Sequence, residues 1–600
     1  MLKEVNGSAS INKSANINAN INRRGEASAQ RKASALREAG FYQGVPLGKK
    51  RITGRIAIPS GIRCARASAI ARYFGIRSVG IITTKSISAQ PKQGYREPLY
   101  YRYADNAYMN AVGLENPGAR AFREELSQIT IPEDKFLLVS LFGGDEASFL
   151  EAAEALADMA DGFELNLSCP HAKGYGLQVG NDADLVARIT GRIVRAFAGI
   201  PIFAKLSASI PDVAAIAELA VGQGAAGITI TNTIGPGIAY LGGSPVLSNG
   251  VGGLSGEAIR PLGLKATADI RMRIGEGPLI IGMGGIFLAQ HMEDYYRAGA
   301  DFFGVGSALT NLSTEESADY LNGLQDDVQD DVQDDVVGGL PGGRRRATMP
   351  KAVDNMSYTA CLVEGNTALT PSLHKIRLAP SPGGAGAGAG TCACDTAGRF
   401  FFLMLPGKGE KPFAMFSQEE RSFVVKDVGF FTHELTQLSP GDTVYLRGPY
   451  GKGMPLYRDA NINFVAGGTG ISPVYEMARA YAKHNKLRFF FGVGTAGDLF
   501  DRHRFDALGE THVATEDGSL GRRGFVSELL RGFAFGDSPV FINAGPRAMI
   551  EACRAIEAEA ASQDIWAAIE YQTSCGVGIC GKCACEGGQL SCVDGPFFKL

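Results

Sequence analysis

The fold class is decided by residues 162–207, which contain GFELNLSCP (162–170), DADLVARITGRIVRAF (182–197) and PIFAKLS (201–207). The first and last of these segments are short apolar runs of the kind that form strands. The middle segment repeats apolar residues at the spacing of one helix face. A strand, a helix and a second strand in this order predict two parallel strands that are buried on both faces.

The same alternation of strand and helix continues from about residue 50 to about residue 310. The other apolar runs are RIAIPS (55–60), SVGIITTKS (78–86), KFLLVSLFG (135–143), AGITITNT (226–233), LIIGMGGI (279–286) and FFGVGSAL (302–309). Eight strands separated by helices fit a closed (β/α)8 barrel, which typically needs about 250 residues. We therefore predict an α/β protein in which residues 46–315 form this barrel.

The rest of the chain changes composition several times. Residues 1–45 are rich in Ser, Ala, Asn and Arg and predict a disordered extension. A transit peptide is the alternative there, although acidic residues count against it. Residues 316–354 carry an acidic repeat, a Gly/Pro break and an arginine cluster, which together predict a linker. Residues 355–457 then have strand-and-turn character, and residues 458–563 alternate strand and helix again.

Charge and cysteine usage exclude several classes of protein. The formal net charge is −3 at pH 7, so no basic field favours nucleic acid. No apolar run reaches the ~18 residues that a membrane helix needs. An odd count of 11 cysteines, without an apolar signal segment, argues for a reducing compartment and against a disulfide framework. We expect a cytoplasmic protein that binds neither nucleic acid nor a membrane.

Five of the 11 cysteines lie in CGVGICGKCACEGGQLSC (575–592), which we call the cysteine tail. Cys575, Cys580, Cys583 and Cys592 have the C-x4-C-x2-C spacing, with a distant fourth Cys, of plant-type 2Fe-2S proteins. A structural zinc ion, which more often has two C-x2-C pairs, and disulfides are the alternatives. Cys585 is surplus, and we interpret it as a non-ligand. Because such a cluster moves one electron at a time, we also expect flavin.

Polar and glycine residues stand at the carboxyl ends of six predicted barrel strands, where barrel enzymes have their sites. They are Lys85, Asn166, Cys169, Lys205, Asn232, Thr233, Gly284, Gly285, Gly306 and Ser307. Each has an ordinary explanation when taken singly, such as a solvated strand end or a turn. Together they predict a flavin site, because glycines after the last two strands suit phosphate and lysines suit an anionic group.

Several motifs carry a family resemblance. NAVGLENPG, FELNLSCPHAKGYG, FAKLS, ITNT, GGLSG, IIGMGG and VGSA occur in the order found in class 1 dihydroorotate dehydrogenases, which residues 52–312 resemble. KPFAMFS, VGFFTHEL, RGPYGKG, GGTGISP, EDGSLGRRG and the cysteine tail resemble the electron-transfer subunit of the NAD-dependent, two-component form of that enzyme. The chain looks like these two subunits fused.

The resemblance implies a reaction and an architecture. Dihydroorotate is oxidised to orotate in pyrimidine synthesis, and the electrons pass from FMN through a 2Fe-2S cluster and FAD to NAD+. The barrel binds FMN and is followed by a ferredoxin-reductase-like module. In that module residues 355–457 form a β-barrel that binds FAD, residues 458–563 bind NAD, and residues 564–600 hold the cluster. Related enzymes dimerise through the barrel, so we expect a homodimer.

The resemblance also assigns roles to residues. Cys169 stands at the position of the catalytic base, although a lone cysteine is more often a buried structural residue. The substrate residues are Lys85, Asn110, Asn166, Asn232 and Thr233. The FMN residues are Lys85, Lys205, Gly256, Gly284, Gly285, Gly306 and Ser307. The FAD residues are Lys411, Pro412, Gly429 and Thr432, and the NAD residues are Gly467, Gly468 and Gly470.

Some positions depart from the family pattern. His171 follows the Cys-Pro pair, as in dihydropyrimidine dehydrogenase, so a reductase of uracil-type rings is one alternative. Lys411 and Ala414 replace the Arg and Ser of the flavin motif, and Ala544 replaces a Cys near the nicotinamide. GVGTAGDL (492–499) lacks an Arg for a 2′-phosphate, which favours NAD over NADP. A pure electron-transfer flavoprotein is the third hypothesis.

Overall fold

The computed structural model describes residues 44–168, 180–337, 355–381, 397–560, 564–569 and 572–600. The prediction of an eight-stranded parallel barrel is confirmed. Its strands are Ile56–Ile58, Val79–Thr83, Phe136–Leu141, Gly162–Asn166, Ile202–Leu206, Gly227–Ile230, Leu279–Met283 and Phe302–Gly304. Neighbouring strands pair in parallel around the closed barrel. All eight lie inside the apolar runs that predicted them.

Helices surround this barrel. They are Ala67–Phe74, Ala119–Leu126, Glu146–Leu156, Ala183–Ala196, Val213–Gly222, Arg260–Ile274, Ala289–Arg297 and Thr314–Val337. The helix in the opening stretch shows why they form. The side chain of Asp182 accepts from the backbone N–H of Leu185 at 2.9 Å and so caps the first turn. Val186, Ile189 and Ile193 then recur at helical spacing and are buried against the strands.

An antiparallel sheet that the sequence analysis does not predict lies beside the barrel. It contains Tyr100–Ala104, Ala107–Asn110, Ile234–Gly237 and Gly252–Gly256. GGLSG is therefore a strand, which pairs with the strand that ends at Asn110. Two small hairpins, Val45–Leu47 with Lys50–Ile52 and Tyr240–Leu241 with Ser244–Pro245, complete this half, together with 3-10 turns at Glu257–Ile259 and Ser307–Leu309.

The linker expected from residue 316 is corrected at its start, because the helix Thr314–Val337 continues through the acidic repeat. The physical reason is an apolar stripe that the acidic residues conceal. Leu321, Leu324 and Val328 follow one another at helical spacing and are buried. A helix that buries such a stripe remains part of the domain it packs on.

The segment expected to be a β domain is a closed six-stranded antiparallel barrel. Its strands are Thr359–Thr370, Leu373–Pro380, Phe400–Leu405, Gly409–Ser417, Ser422–Lys426 and Thr443–Tyr450, and the helix Phe430–Thr436 precedes the last strand. Ile376, Leu403, Phe423 and Val444 are buried in its interior. The alternation of inward and outward residues along these strands produces this core.

The third unit is a seven-stranded sheet flanked by helices. In spatial order its strands are Arg522–Arg523, Glu510–Thr515, Lys486–Val493, Asn461–Gly467, Pro539–Ala544, Asp564–Ala568 and Phe597–Lys599. The helices are Ile471–Tyr481, Arg502–Asp506, Val526–Leu530 and Arg547–Glu559, with 3-10 turns at Gly468–Gly470 and Ala496–Asp498. All neighbouring strands are parallel except the last pair.

The cysteine tail is not the separate unit that a boundary at residue 564 implies. The strands Asp564–Ala568 and Phe597–Lys599, on either side of it, both belong to the seven-stranded sheet. The tail itself lies against the parallel barrel, where the backbone N–H of Arg63 donates to the carbonyl of Ile579 at 2.7 Å. In the part of the chain that the structure describes, no helix is long and apolar enough to cross a membrane.

Candidate active site

A cavity opens at the carboxyl ends of the parallel strands and brings together the barrel residues that the sequence analysis singles out. Those that line it are Lys85, Asn110, Asn166, Lys205, Asn232, Thr233, Gly256, Gly284, Gly285, Gly306 and Ser307. Asn110 and Gly256 reach the cavity from the antiparallel sheet. Cys169 and His171 lie outside the described residues, which end at Ser168 on this side.

A hydrogen-bonded network holds Asn166 and Asn232, two of the three asparagines that line the cavity, in place. Nδ2 of Asn166 donates to the hydroxyl of Ser86 at 2.9 Å, and Oδ1 of Asn166 accepts from the hydroxyl of Ser168 at 3.2 Å. Nδ2 of Asn232 donates to the same Ser168 hydroxyl at 3.0 Å. The network therefore fixes the direction in which each amide presents its donor and acceptor.

The cavity also contains buried charge. Nζ of Lys205 lies 3.4 Å from Oε1 of Glu164, and both side chains are almost completely buried. Oε1 of Glu164 also accepts from Ser140, whereas its Oε2 has no hydrogen-bond partner among the described residues. Burial and the neighbouring ammonium of Lys582 lower the pKa of Lys85, which the carboxylate of Glu115 partly opposes. Cationic side chains held in this way suit an anionic ligand.

The glycines of the cavity wall fit a phosphate-bearing cofactor such as FMN. Gly256, Gly284 and Gly285 have φ angles of +92°, +119° and +72°, which side chains rarely adopt. A Cβ on Gly285 would lie 2.8 Å from the carbonyl oxygen of Gly256. The backbone here is exposed to the cavity without side chains, which is the arrangement that lets N–H groups approach a phosphate.

The four predicted cluster ligands lie next to one another, because the side chain of Cys575 contacts those of both Cys580 and Cys592. The sulfurs of Cys583 and Cys592 are 3.3 Å apart, and the backbone N–H of Cys580 lies 3.5 Å from the sulfur of Cys575. No group of three or more His, Cys, Asp or Glu side chains in the described ranges is arranged around one metal ion. Four adjacent thiols suit a 2Fe-2S cluster, which takes four cysteine ligands.

Cys575 and Cys580 line the same cavity as Lys85, Asn166 and Lys205. The sequence analysis treats the barrel site and the cysteine tail separately and does not predict this contact. Neither spacing nor composition signals it, because the two segments are separated by most of the chain. The contact means that a group bound by the tail would border a group bound in the barrel.

The proposed FAD residues lie outside this cavity, on the antiparallel barrel. Thr432, the third residue of the helix Phe430–Thr436, accepts through its Oγ1 from the backbone N–H groups of Val428 and Gly429 at 3.0 Å and so caps the start of its own helix. Nζ of Lys411 lies 2.9 Å from Oε2 of Glu97, which belongs to the half of the chain that contains the parallel barrel. The lysine that replaces the family arginine is thus paired across the two halves.

The glycine turn of the third unit follows the strand Asn461–Gly467, as a dinucleotide site requires. Gly468 has a φ of +54°, and a Cβ on Gly470 would overlap the carbonyl of Ala544 on the neighbouring strand. Helix and strand can therefore approach closely only with glycine at this position. This geometry fits a nucleotide laid across the ends of the strands.

Each half of the chain is similar to known proteins. The family model for dihydroorotate dehydrogenase matches residues 47–325. The NAD-dependent dihydroorotate dehydrogenase B catalytic subunit of Methanopyrus kandleri is 37% identical over 265 residues, which cover 43% of this chain and 83% of that subunit. The chain belongs to the dihydroorotate dehydrogenase family. The corresponding subunit of Methanocaldococcus jannaschii is 35% identical over 258 residues, 42% of this chain and 83% of its own length.

Outside the part shared with the dihydroorotate dehydrogenase subunits, residues 464–555 match the oxidoreductase NAD-binding domain. A solved chain of the NADH-dependent reduced ferredoxin-NADP oxidoreductase is 26% identical, with a TM-score of 0.35, and covers 40% of this chain and 87% of its own length. This dihydroorotate dehydrogenase homologue therefore carries, on one chain, a domain that the matched catalytic subunits do not supply.

The structure adds residues that the sequence analysis of this dihydroorotate dehydrogenase homologue missed. Glu164 could have been predicted from the sequence pattern, because FELNLS places it two residues before Asn166 on the same face of a buried strand. Glu97, by contrast, lies in no sequence pattern that would mark it as a site residue. Its two oxygens accept from Lys411 and Ser574, so one barrel carboxylate contacts both a flavin motif and the segment before the cysteine tail.

Proposed function

We propose that this chain is an NAD-dependent dihydroorotate dehydrogenase that oxidises dihydroorotate to orotate in pyrimidine synthesis. One observation carries the proposal: Cys575 and Cys580 line the cavity that also contains Lys85, Asn166 and Lys205. This shared lining supports a site for substrate and flavin next to a site for an electron carrier. The two halves together supply what an NAD-linked reaction requires.

The side chains of the cavity suit the ring of the substrate. Asn110, Asn166, Asn232 and Thr233 offer donors and acceptors to the ring amides and the carboxylate. The Ser168 hydroxyl orients two of these amides before the substrate arrives, which lowers the cost of ordering them on binding. Lys85 supplies positive charge where the anionic substrate and the flavin meet.

Proton transfer is assigned to Cys169, which takes the proton from C5 of the ring. Its sulfur must be a thiolate to act in this way, and positive charge beside a thiol favours the thiolate. When bound, the flavins and NAD+ supply two-electron chemistry, and the 2Fe-2S cluster supplies one-electron transfer between them. Lys205 stabilises negative charge on the ring system of FMN.

The remaining cofactor sites follow from the second half. Cys575, Cys580, Cys583 and Cys592 hold the cluster, and the backbone N–H of Gly578 donates to the sulfur of Cys592 at 3.2 Å. FAD binds at Lys411, Pro412, Gly429 and Thr432. NAD binds at Gly467, Gly468 and Gly470, and we propose NAD rather than NADP. The protein acts in the cytoplasm as a homodimer formed through the parallel barrel.

An anaerobic titration tests the function. We expect dihydroorotate to bleach the flavin absorbance of the purified protein, to produce a low-temperature EPR signal from the cluster, and to form NADH when NAD+ is added. A response to dihydrouracil in place of dihydroorotate would instead support the reductase of uracil-type rings. Protein that binds flavin but responds to neither would leave only an electron-transfer role.

A further inference from the structure

Two buried arginines contact the cysteine tail, one from each half of the chain. Arg63 follows the first strand of the parallel barrel and is 1% exposed, and Arg447 lies on the last strand of the antiparallel barrel and is 3% exposed. Neither has a role in the function proposed above. A fully buried guanidinium is costly unless anionic or polar groups surround it.

Arg447 is held by a carboxylate and points at the tail. Its Nη2 and Nε lie 2.6 and 2.9 Å from the two oxygens of Glu410. Its Nη1 donates to the carbonyl of Cys575 at 3.2 Å. The guanidinium also lies 4.0 Å from the centre of the Phe402 ring, against which Gly576 packs. Burial lowers the pKa of Arg447, but Glu410 outweighs this effect and raises it overall.

Arg63 contacts the same tail without a carboxylate. Its backbone N–H donates to Ile579 at 2.7 Å, and its Nη2 donates to the carbonyls of Leu309 and Leu312 at 2.6 and 2.7 Å. The same Nη2 lies 3.0 Å from the position that a Cβ on Gly578 would take. No described acidic side chain lies within ion-pair distance of Arg63, and its Nε has no hydrogen-bond partner among the described residues.

Four thiolates and the cluster that they hold are anionic, and reduction adds a further negative charge. A nearby cation in a low-dielectric surrounding therefore favours the reduced form. We propose that Arg63 and Arg447 are positioning residues that hold the cysteine tail from the two halves and raise the reduction potential of its cluster. The inference rests on the proposed cluster site and adds what sets its potential.

The test is an EPR-monitored redox titration of the full-length protein, purified with its cluster. We expect Arg63→Gln to shift the reduction equilibrium of the cluster at least tenfold toward the oxidised form, which for one electron is about 59 mV. Arg447→Gln shifts it in the same direction. Glu410→Gln shifts it the opposite way, because Arg447 then lacks its counter-charge. A purely structural role does not produce shifts of opposite sign.

Controls separate charge from packing. Arg271 is a buried barrel arginine whose hydrogen bonds remain within the barrel, so Arg271→Gln should leave the potential unchanged. Arg63→Lys and Arg447→Lys keep the charge and should stay near the wild-type potential. If a Gln variant loses iron, the Lys variants decide the question. Lys variants that retain iron and stay near the wild-type potential support the inference. Loss of iron from both Lys variants overturns it.

Different results would reject the proposed function and the inference about Arg63 and Arg447. Wild-type protein that takes up iron but shows no cluster signal would reject the proposed function. A normal cluster signal with the same potential in wild type, Arg63→Gln, Arg447→Gln and Glu410→Gln would overturn the present inference and leave the function intact.

Discussion

Ser168 is the residue at which the polar side chains of the barrel cavity meet. Its hydroxyl is fully buried and hydrogen-bonded to both Asn166 and Asn232. Ser168 is also the residue directly before Cys169 in the sequence. Ser168 thus fixes the orientation of two amide side chains that line the cavity.

Cys169→Ala tests the base. We expect turnover with dihydroorotate to fall about 100-fold, because the ring proton loses its acceptor, while FMN content stays normal. Cys64→Ala is the matched control, since Cys64 is another barrel thiol whose burial raises its pKa to about 11. Steady-state assays of both variants decide the point, and normal turnover by Cys169→Ala would refute the assignment.

Glu557 makes the stability of the third unit depend on pH. The side chain is fully buried, Asn543 donates to one of its oxygens at 2.9 Å, and burial raises its pKa to about 7 from an ordinary value of 4.5. The folded state therefore binds the proton more tightly, and stability falls as pH rises from about 4.5 through about 7. At pH 8 the loss is about 3 kcal/mol.

Glu557→Gln removes this titration. We expect the variant to melt at a higher temperature than wild type at pH 8, and at the same temperature at pH 5. Glu559→Gln, an exposed change two residues away on the same helix, should have no effect at either pH. Differential scanning calorimetry at both pH values measures the difference. Equal melting temperatures at pH 8 would show that Glu557 is not strained by its burial.

At the level of elements, the parallel strands were predictable because each is a continuous apolar run buried on both faces. The strand Gly252–Gly256 was not, because its glycine-rich sequence has no periodicity and its pairing partner lies far away at Ala107–Asn110. The helix Thr314–Val337 was missed because its acidic repeat suggests solvent. Local sequence pattern thus predicted the parallel strands, whereas it could not predict a strand whose pairing partner lies far away in the sequence.

The candidate site divides in the same way. Lys205 and Asn232 could be found because the ends of barrel strands always meet at one face. The four cysteines were selected from their spacing alone, and their role as cluster ligands stays a prediction. Arg447, Glu410 and Glu97 could not, because their importance comes from partners on distant segments, and an isolated charged residue carries no information about its partner.

The cysteine tail makes a prediction of its own. Cys580→Ala should leave dihydroorotate able to bleach flavin, while NADH formation stops because the electron path through the tail is broken. Cys585→Ala is the matched control, because the spacing analysis interprets Cys585 as a non-ligand. Parallel measurements of flavin absorbance and NADH formation test this. Continued NADH formation by Cys580→Ala would mean that electrons travel by another route.

At the scale of the whole molecule, polar contacts join the two halves of one chain. Lys411 and Ser574 both contact Glu97, and Lys582 pairs with Glu115. The backbone N–H and hydroxyl of Thr314 donate to the two oxygens of Asp594 at 2.9 and 2.7 Å. Each of these contacts lies within a single chain, so the second half of the chain packs on the parallel-barrel half of the same chain.

Complementation tests this intrachain arrangement. Cys169→Ala lacks the proposed base and Cys580→Ala lacks a proposed cluster ligand, and we expect the two variants, co-expressed with different affinity tags and purified together, to remain inactive in NADH formation. Wild type co-expressed with either variant is the positive control. Recovery of a large part of wild-type activity by the mixed dimers would instead mean that each tail serves the barrel of the partner.

The strand Phe597–Lys599 pairs within the seven-stranded sheet, and this pairing affects how the cysteine tail is held. Ala568 and Phe597 are paired in that sheet, so both ends of the segment that contains the cysteine tail are fastened side by side. Closing this loop costs conformational entropy. Folding of the sheet offsets that cost, so metal binding does not have to offset it. We therefore expect the protein without a bound cluster to keep the four thiols of the cysteine tail close together.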